Sequence, residues 1–186
     1  MATTHSSTSK GSSARKSATT RSKSAARRTA ASSRQPDGVQ LLKTDHREVE
    51  KLFSQFEKAR GEERKMQIAR TICMELRIHT QIEEEIFYPT SRDFLKDDEI
   101  VNEAIVEHQS AKDLIDEIEA MDAVDEIFEA KVTVLQELIE HHVQEEEKEY
   151  FPQCQKSDMD LKAIGEQLAM RKQELMAQME GGTEMH

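Results

Sequence analysis

The chain is expected to be all-α: an up-down-up-down four-helix bundle carrying a C-terminal fifth helix and a disordered basic N-terminal tail. Three observations predict this. Apolar residues recur at steps of three and four through five segments, the period of a one-sided helix. Of 186 residues, 36% are hydrophobic and 34% charged, with no Trp, which suits a small bundle with a charged exterior better than a sheet protein. Finally, one stretch is used twice. His79-Thr80-Gln81-Ile82-Glu83-Glu84-Glu85-Ile86-Phe87-Tyr88-Pro89 is followed 63 residues on by His142-Val143-Gln144-Glu145-Glu146-Glu147-Lys148-Glu149-Tyr150-Phe151-Pro152.

The net charge of −11 conceals two unlike parts. Residues 1–36 carry eight of the 26 Lys and Arg and none of the 37 Asp and Glu. They also lack Val, Leu, Ile, Phe, Tyr and Trp. Such a segment cannot bury enough apolar surface to offset the entropy of ordering it, so residues 1–37 are expected to be disordered. The missing apolar face argues against a mitochondrial presequence. Two readings stay open: a basic arm that finds the phosphates of nucleic acid or another acidic partner, and a solubilising tail.

Pro36-Asp37-Gly38 is a turn signal, and the ordered part is expected to begin there. From Val39 to about Arg60, Leu42, His46, Val49, Phe53 and Phe56 form one helical stripe, ended by Gly61. Ile68, Ile72, Leu76, His79, Glu83 and Ile86 form a second, from Glu62 to Tyr88, with Pro89 limiting its continuation. Residues 91–96 read as a short loop. A third helix is expected from Asp97 or Asp98 to Met121, with Ala104, His108, Ala111, Ile115 and Ile118 facing inward. The fourth, Val124 to Phe151, turns Leu135, Ile139, His142 and Glu146 to the core and meets Pro152. Residues 159–180 form the fifth periodic segment, with Leu161, Ile164, Leu168, Leu175 and Met179, and Gly181-Gly182 marks a frayed end.

The repeat extends beyond the paired motif. Asp45-His46 aligns with Glu107-His108, and Val49, Phe53 and Phe56 align with Ala111, Ile115 and Ile118. Two helical hairpins related by a pseudo-twofold axis follow, each offering His, His and Glu to a shared core. A lone histidine on an apolar face is usually a satisfied core residue. Four histidines and two glutamates on four facing stripes are different, because two buried carboxylates are costly unless paired or ligated. Neutral imidazoles bring no charge to pair with them, whereas bound cations do. The competing reading is a polar network without metal. The ferritin-like arrangement needs Glu three residues before His, and none of the seven histidines has it. Cys73 and Cys154 lack metal-type spacing and read as reduced thiols. Imidazole and carboxylate donors, few per ion, suit iron or manganese with open positions better than a closed zinc site.

With these residues in place, the chain resembles the hemerythrin-like HHE cation-binding domains, over about residues 38–155. The resemblance implies a non-haem di-iron site with an oxo or hydroxo bridge. On the matching positions, His46 and His79 would serve one iron, His108 and His142 the other, and Glu83 and Glu146 would bridge them. His141 aligns with Ile78 and is left out. Lys112 stands where oxygen-carrying hemerythrins have a fifth histidine, and His142-x3-Glu146 replaces their His-x4-Asp. The pattern is closer to the four-His, two-Glu branch associated with iron sensing and with repair of nitrosative and oxidative damage. The Cys-containing N-terminal module of the iron–sulfur repair proteins is absent. Lys112 and Glu149 are candidates for supporting the donors from outside.

The expected function is therefore binding of O2, NO or peroxide at open iron positions, as carrier, sensor or stress protectant. The alternatives are an enzyme that turns over peroxide or oxidises Fe(II), and a nucleic-acid or partner-binding protein working through residues 1–36. Residues 156–186 would add a C-terminal helix and a frayed end. No run approaches the roughly 18 apolar residues that cross a bilayer, and no signal-peptide core is present, so a cytoplasmic location is expected.

Overall fold

The computed structural model describes residues 36–95 and 98–182; the basic segment 1–35 lies outside the described residues. Every element among them is helical: α1 (Gly38–Lys58), α2 (Glu62–Ile82), a π-helical turn (Glu83–Phe87), α3 (Tyr88–Arg92), α4 (Glu99–Glu119), α5 (Glu126–Glu145), a second π-helical turn (Glu146–Tyr150), α6 (Phe151–Lys156) and α7 (Leu161–Gly182). With each π turn and the short helix behind it counted as one rod, four antiparallel rods make an up-down-up-down bundle, and α7 lies against α1 and α2.

Local chemistry sets the ends. Asp37 caps α1 by accepting the Gln40 amide at 2.9 Å, while the Gln40 side chain returns to the Asp37 amide. This reciprocal cap satisfies two donors that a helix start leaves open. Gly61 has φ +85°, a conformation that Cβ-bearing residues rarely adopt, and opens α2 there. Asp125 caps α5 through the Phe128 amide at 2.8 Å, so α5 begins two residues later than its periodicity suggests.

Pro89 and Pro152 do not stop their helices. α3 continues to Arg92 and α6 to Lys156, with each proline in the first turn of the restarted α-helix. A proline lacks the N–H that a first-turn residue leaves unused, so it is tolerated at that place. The π turns make the restart possible. The Glu83 carbonyl accepts from the Tyr88 amide and the Glu146 carbonyl from the Phe151 amide, five residues on instead of four. Underwinding brings Phe87, Tyr88, Tyr150 and Phe151 fully into the core and leaves Ile86, a predicted stripe residue, half-buried. The expected loop 91–96 is correspondingly shorter, since Ser91 and Arg92 are helical. The helix α7 carries through Gly181 and Gly182 instead of fraying there.

The core is two apolar clusters. Leu42, Ile78, Ile82, Phe87, Tyr88 and Phe151 belong to one, and Val49, Phe53, Ile72, Leu76, Ile115 and Leu135 to the other. The inward histidines stand where these clusters meet: His46 lies between Leu42 of the first and Val49 of the second, and His79 between Leu76 and Ile82. Burial on both sides holds a polar layer in register across all four rods.

The seat of α7 is tight at Gly165. A Cβ there would lie 2.5 Å from the Pro36 carbonyl oxygen and 2.9 Å from the Gly38 nitrogen, both backbone atoms that cannot swing away. Gly165→Ala is therefore expected to destabilise the fold by about 1–3 kcal/mol, the usual cost of overpacking. Urea denaturation checks this, and an unchanged midpoint would show that α7 is not pinned at this point.

Candidate metal centre

All six predicted donors are buried and converge. The six fall into two groups whose donor atoms, one per side chain, lie within 4.8 Å of one another: His46, His79, Glu83 and Glu146, and Glu83, His108 and His142. A third such group, Glu107, His141 and Glu145, lies outside the core and is partly exposed. The Nε2 atoms of His46 and His79 are 3.1 Å apart, and those of His108 and His142 are also 3.1 Å apart. Glu83 Oε2 lies 3.2 Å from His79 Nε2 and 3.4 Å from His108 Nε2, so it touches both pairs. Glu146 Oε2 does the same, 3.3 Å from His46 Nε2 and 3.6 Å from His142 Nε2.

The outer side of each imidazole explains the inner one. His46 Nδ1 is 3.0 Å from Glu147, His108 Nδ1 3.0 Å from Glu84, and His142 Nδ1 2.9 Å from Glu107. His79 Nδ1 faces Asp45 at 3.6 Å. An ionised carboxylate only accepts, so Nδ1 carries the proton at the three hydrogen bonds, and the neutral form of each ring turns an Nε2 lone pair inward. For His108 and His142 the two Nε2 atoms face each other across 3.1 Å. That contact needs a proton on one of the rings or a metal ion near both. Two donors at right angles on one ion, each roughly 2.1 Å from it, are about 3 Å apart, so the separation fits a shared metal.

The carboxylates make the same point. Glu83 is wholly buried with neither oxygen hydrogen-bonded, and Glu146 Oε2 is also orphaned. Burial and the neighbouring Glu146 charge push Glu83 well above the usual carboxylate range. For Glu146, burial pushes the same way, but His142, His46 and His79 outweigh it and hold the group low. Burial likewise lowers His79, to about 4, and lowers His108, whereas at His142 the Glu146 and Glu107 carboxylates outweigh burial and raise it. These are the signs expected of a metal-binding layer without its compensating charge. Neither cysteine belongs to the cluster; burial pushes both thiols up to about 12, so neither offers a thiolate at neutral pH.

The sequence reading missed the supporting residues, although the signal was present. Asp45 and Glu107 precede His46 and His108, and Glu84 and Glu147 follow the two core glutamates, so all four obey the same repeat. Each has a basic partner: Lys172 on Asp45 at 2.8 Å, Lys112 on Glu84 at 2.5 Å, Arg47 on Glu147 at 2.5 Å and His141 on Glu107 at 3.5 Å. Lys112 thus supports His108 through Glu84, and Glu149 points to solvent.

Tyr88 was missed as well. It occupies the repeat position of Phe151, because the aromatic pair is Phe-Tyr in one copy and Tyr-Phe in the other. Its hydroxyl donates to Glu146 Oε1 at 3.0 Å and lies 3.3 Å from His108 Nε2. On the other side, Phe151 stacks on His46 with ring centroids 5.8 Å apart and no hydroxyl for Glu83. This is why Glu83 has two orphaned oxygens and Glu146 one.

Comparison with known proteins bears on the fold and the family. The fold matches the crystal structure of a hemerythrin HHE cation binding domain-containing protein from Mycobacterium kansasii, with a TM-score of 0.66, 22% identity, and coverage of 77% of this chain and 89% of that one. A DNA nickase of Nostoc sp. is 27% identical over 124 residues, 66% of this chain. The aligned part spans only 35% of the nickase. The model of the hemerythrin HHE cation binding domain matches residues 37–154. With helices, repeat and converging donors all in agreement, the chain belongs to the hemerythrin HHE cation-binding domain family.

Proposed function

We propose that His46, His79, Glu83, His108, His142 and Glu146 hold two iron ions and that the pair binds O2, NO or peroxide in oxygen or iron sensing, or in protection against oxidative and nitrosative stress. His46 and His79 serve one position, His108 and His142 the other, and Glu83 and Glu146 reach both. The observation that carries this reading is the convergence of four buried Nε2 atoms, paired 3.1 Å apart, on carboxylate oxygens that have no hydrogen-bond partner. The mix of imidazole and carboxylate favours iron over structural zinc. When bound, such ions supply Lewis acidity and reversible electron exchange.

The chain's own residues limit what reaches them. A void of about 10 Å³ adjoins His46, His79 and His142, walled by Val49, Leu76 and Ile139. It is at the lower limit for one water-sized group, which leaves no room for an organic substrate. Tyr88 places a proton donor on Glu146, and outer carboxylates fix the orientation of the His46, His108 and His142 rings. No helix among the described residues is long and apolar enough to cross a membrane, and we place the protein in the cytoplasm.

The test is metal content by plasma mass spectrometry on untagged protein from iron-supplied cells, with a near-ultraviolet spectrum of the same sample. About two irons per chain are expected, with charge-transfer bands that change on adding NO or peroxide. Two zinc or manganese ions would overturn the iron assignment. A well-folded chain without metal would overturn the site.

A second reading has its own support: the basic segment 1–36 and the likeness to a DNA nickase. On this reading the segment holds DNA through phosphate contacts. DNA retention should fall steeply with salt and vanish on removing residues 1–36; unchanged retention after truncation would dismiss it.

A further inference from the structure

The two halves of the centre correspond almost residue for residue, and on the Nδ1 side of the imidazoles they diverge at one contact. Glu147 on His46 and Glu84 on His108 are matched, each at 3.0 Å. Asp45 and Glu107 are the other matched pair, and here the halves differ. Glu107 accepts from His142 Nδ1 at 2.9 Å. Asp45, one methylene shorter, stops 3.6 Å from His79 Nδ1, beyond a hydrogen bond. Both Asp45 Oδ2 and His79 Nδ1 are buried without a hydrogen-bond partner.

The surroundings of the two carboxylates diverge in the same way. Glu107 lies on the wall of an open cleft of about 680 Å³ between α4 and α5, beside His141 and Glu145. The corresponding groove between α1 and α2 is filled by α7, whose Ile164 packs on Gly38. From α7, Lys172 donates to Asp45 Oδ1 at 2.8 Å, with Glu75 3.6 Å away. Asp45 is 6% exposed, so this ammonium is a close counter-charge in a dry setting. The α7 helix has no counterpart in the repeat, and neither does Lys172. The Tyr88 and Phe151 difference is a second asymmetry, at the inner side of the layer: the hydroxyl donates to Glu146 and lies 3.3 Å from His108 Nε2. It does not reach the Nδ1 side, where Asp45 and Glu107 differ.

We propose that Lys172 is a positioning residue that makes the two metal positions unequal. By engaging Asp45 it keeps that carboxylate from His79. The His46/His79 position then has one carboxylate-held imidazole, where the His108/His142 position has two. A carboxylate on Nδ1 strengthens the imidazole as a donor, so the first position binds metal more weakly and fills second. The inference rests on the proposed metal centre, and its test separates the two.

The metal-free, full-length protein is titrated anaerobically with Co(II), followed by calorimetry and by d–d absorption. The wild type should show two steps separated by about tenfold, the low end of what a supporting hydrogen bond contributes. Lys172→Met should bring the steps within about threefold of each other by tightening the weaker one, with a matching change in its d–d bands. Lys172→Arg should restore the separation. Should Lys172→Met fail to fold, Asp45→Glu gives the same reading, since the longer arm reaches His79 with the lysine in place. One undivided step in the wild type, or two steps unchanged in Lys172→Met and Asp45→Glu, overturns the proposal and leaves the metal centre standing. So does an equal weakening of both steps, which marks a merely structural lysine. A wild type that takes up no Co(II) overturns the metal centre itself.

Discussion

Replacing His142 with alanine is expected to abolish metal binding at its position and to weaken the neighbouring one. The imidazole is 3% exposed, faces His108 across 3.1 Å, and lies 3.6 Å from the bridging candidate Glu146. No other side chain in its group stands by to replace it. Residues that only support a donor typically contribute 10–100-fold to affinity, so loss of a donor should exceed about 100-fold. His79→Ala should behave alike at the other position. Exposed His141, one residue away, is the control: it faces Glu145 and Glu107 at the surface, so His141→Ala should retain both ions. Metal content and a Co(II) titration of each variant decide the matter. A His142→Ala protein that keeps two ions with unchanged affinity would remove this residue from the site.

Glu83→Gln should move stability and metal binding in opposite directions. Glu83 is fully buried, with neither oxygen hydrogen-bonded, and its carboxyl is pushed well above the usual 4.5 by burial and by Glu146. A group whose folded-state value is raised contributes stability below its unfolded value, and that contribution is lost as pH rises through the folded value. The metal-free wild type should therefore lose stability on going from acid toward neutral pH through this group. His79 acts oppositely. Its lowered value, about 4, makes acidification from the usual 6.5 down toward 4 destabilising. Removing the Glu83 charge deletes the first component and leaves the second. Metal-free Glu83→Gln should then be more stable than wild type at pH 7 by about 1–3 kcal/mol, the scale of an uncompensated buried polar group. It should also fail to bind two ions. Urea denaturation across pH 5–8, with and without Co(II), reads both effects. A less stable metal-free variant at pH 7 would show that Glu83 is already satisfied without a cation.

Much of this was legible in the residues because a repeat constrains interpretation twice. His46 alone on an apolar stripe says little. Paired with His108 by the same offset that pairs His79 with His142 and Glu83 with Glu146, it becomes part of a constellation. All six lie on the faces the 3.6-residue period assigns them, and all are buried. Asp45, Glu84, Glu107 and Glu147 obeyed the same repeat but were passed over. An acid beside an inward histidine reads as solvent-facing until the neighbouring rod is known to stand opposite. Glu84 shows why: it reaches His108 on another rod, 24 residues away.

Other features left no such trace. Proline at 89 and 152 signals a helix end by local steric logic, and the π turns that let both helices continue are a response to core packing. The aromatic pairs needed inward places, and one extra residue per turn supplied them. Lys172 has no partner in the repeat, and nothing near it along the chain indicates an acid 127 residues away.

What the sequence by itself determined is the helical period, the pairing of two hairpins and the inward placement of four histidines and two glutamates, because each depends on residue type and spacing along one rod. What only the tertiary structure decided is which carboxylate supports which imidazole, that Tyr88 serves Glu146, and that α7 closes one of two equivalent grooves. Those contacts join different rods, and their distances depend on how helices seat against one another. At Asp45 a single methylene, set against a lysine from a fifth helix, separates a hydrogen bond from a gap of 3.6 Å.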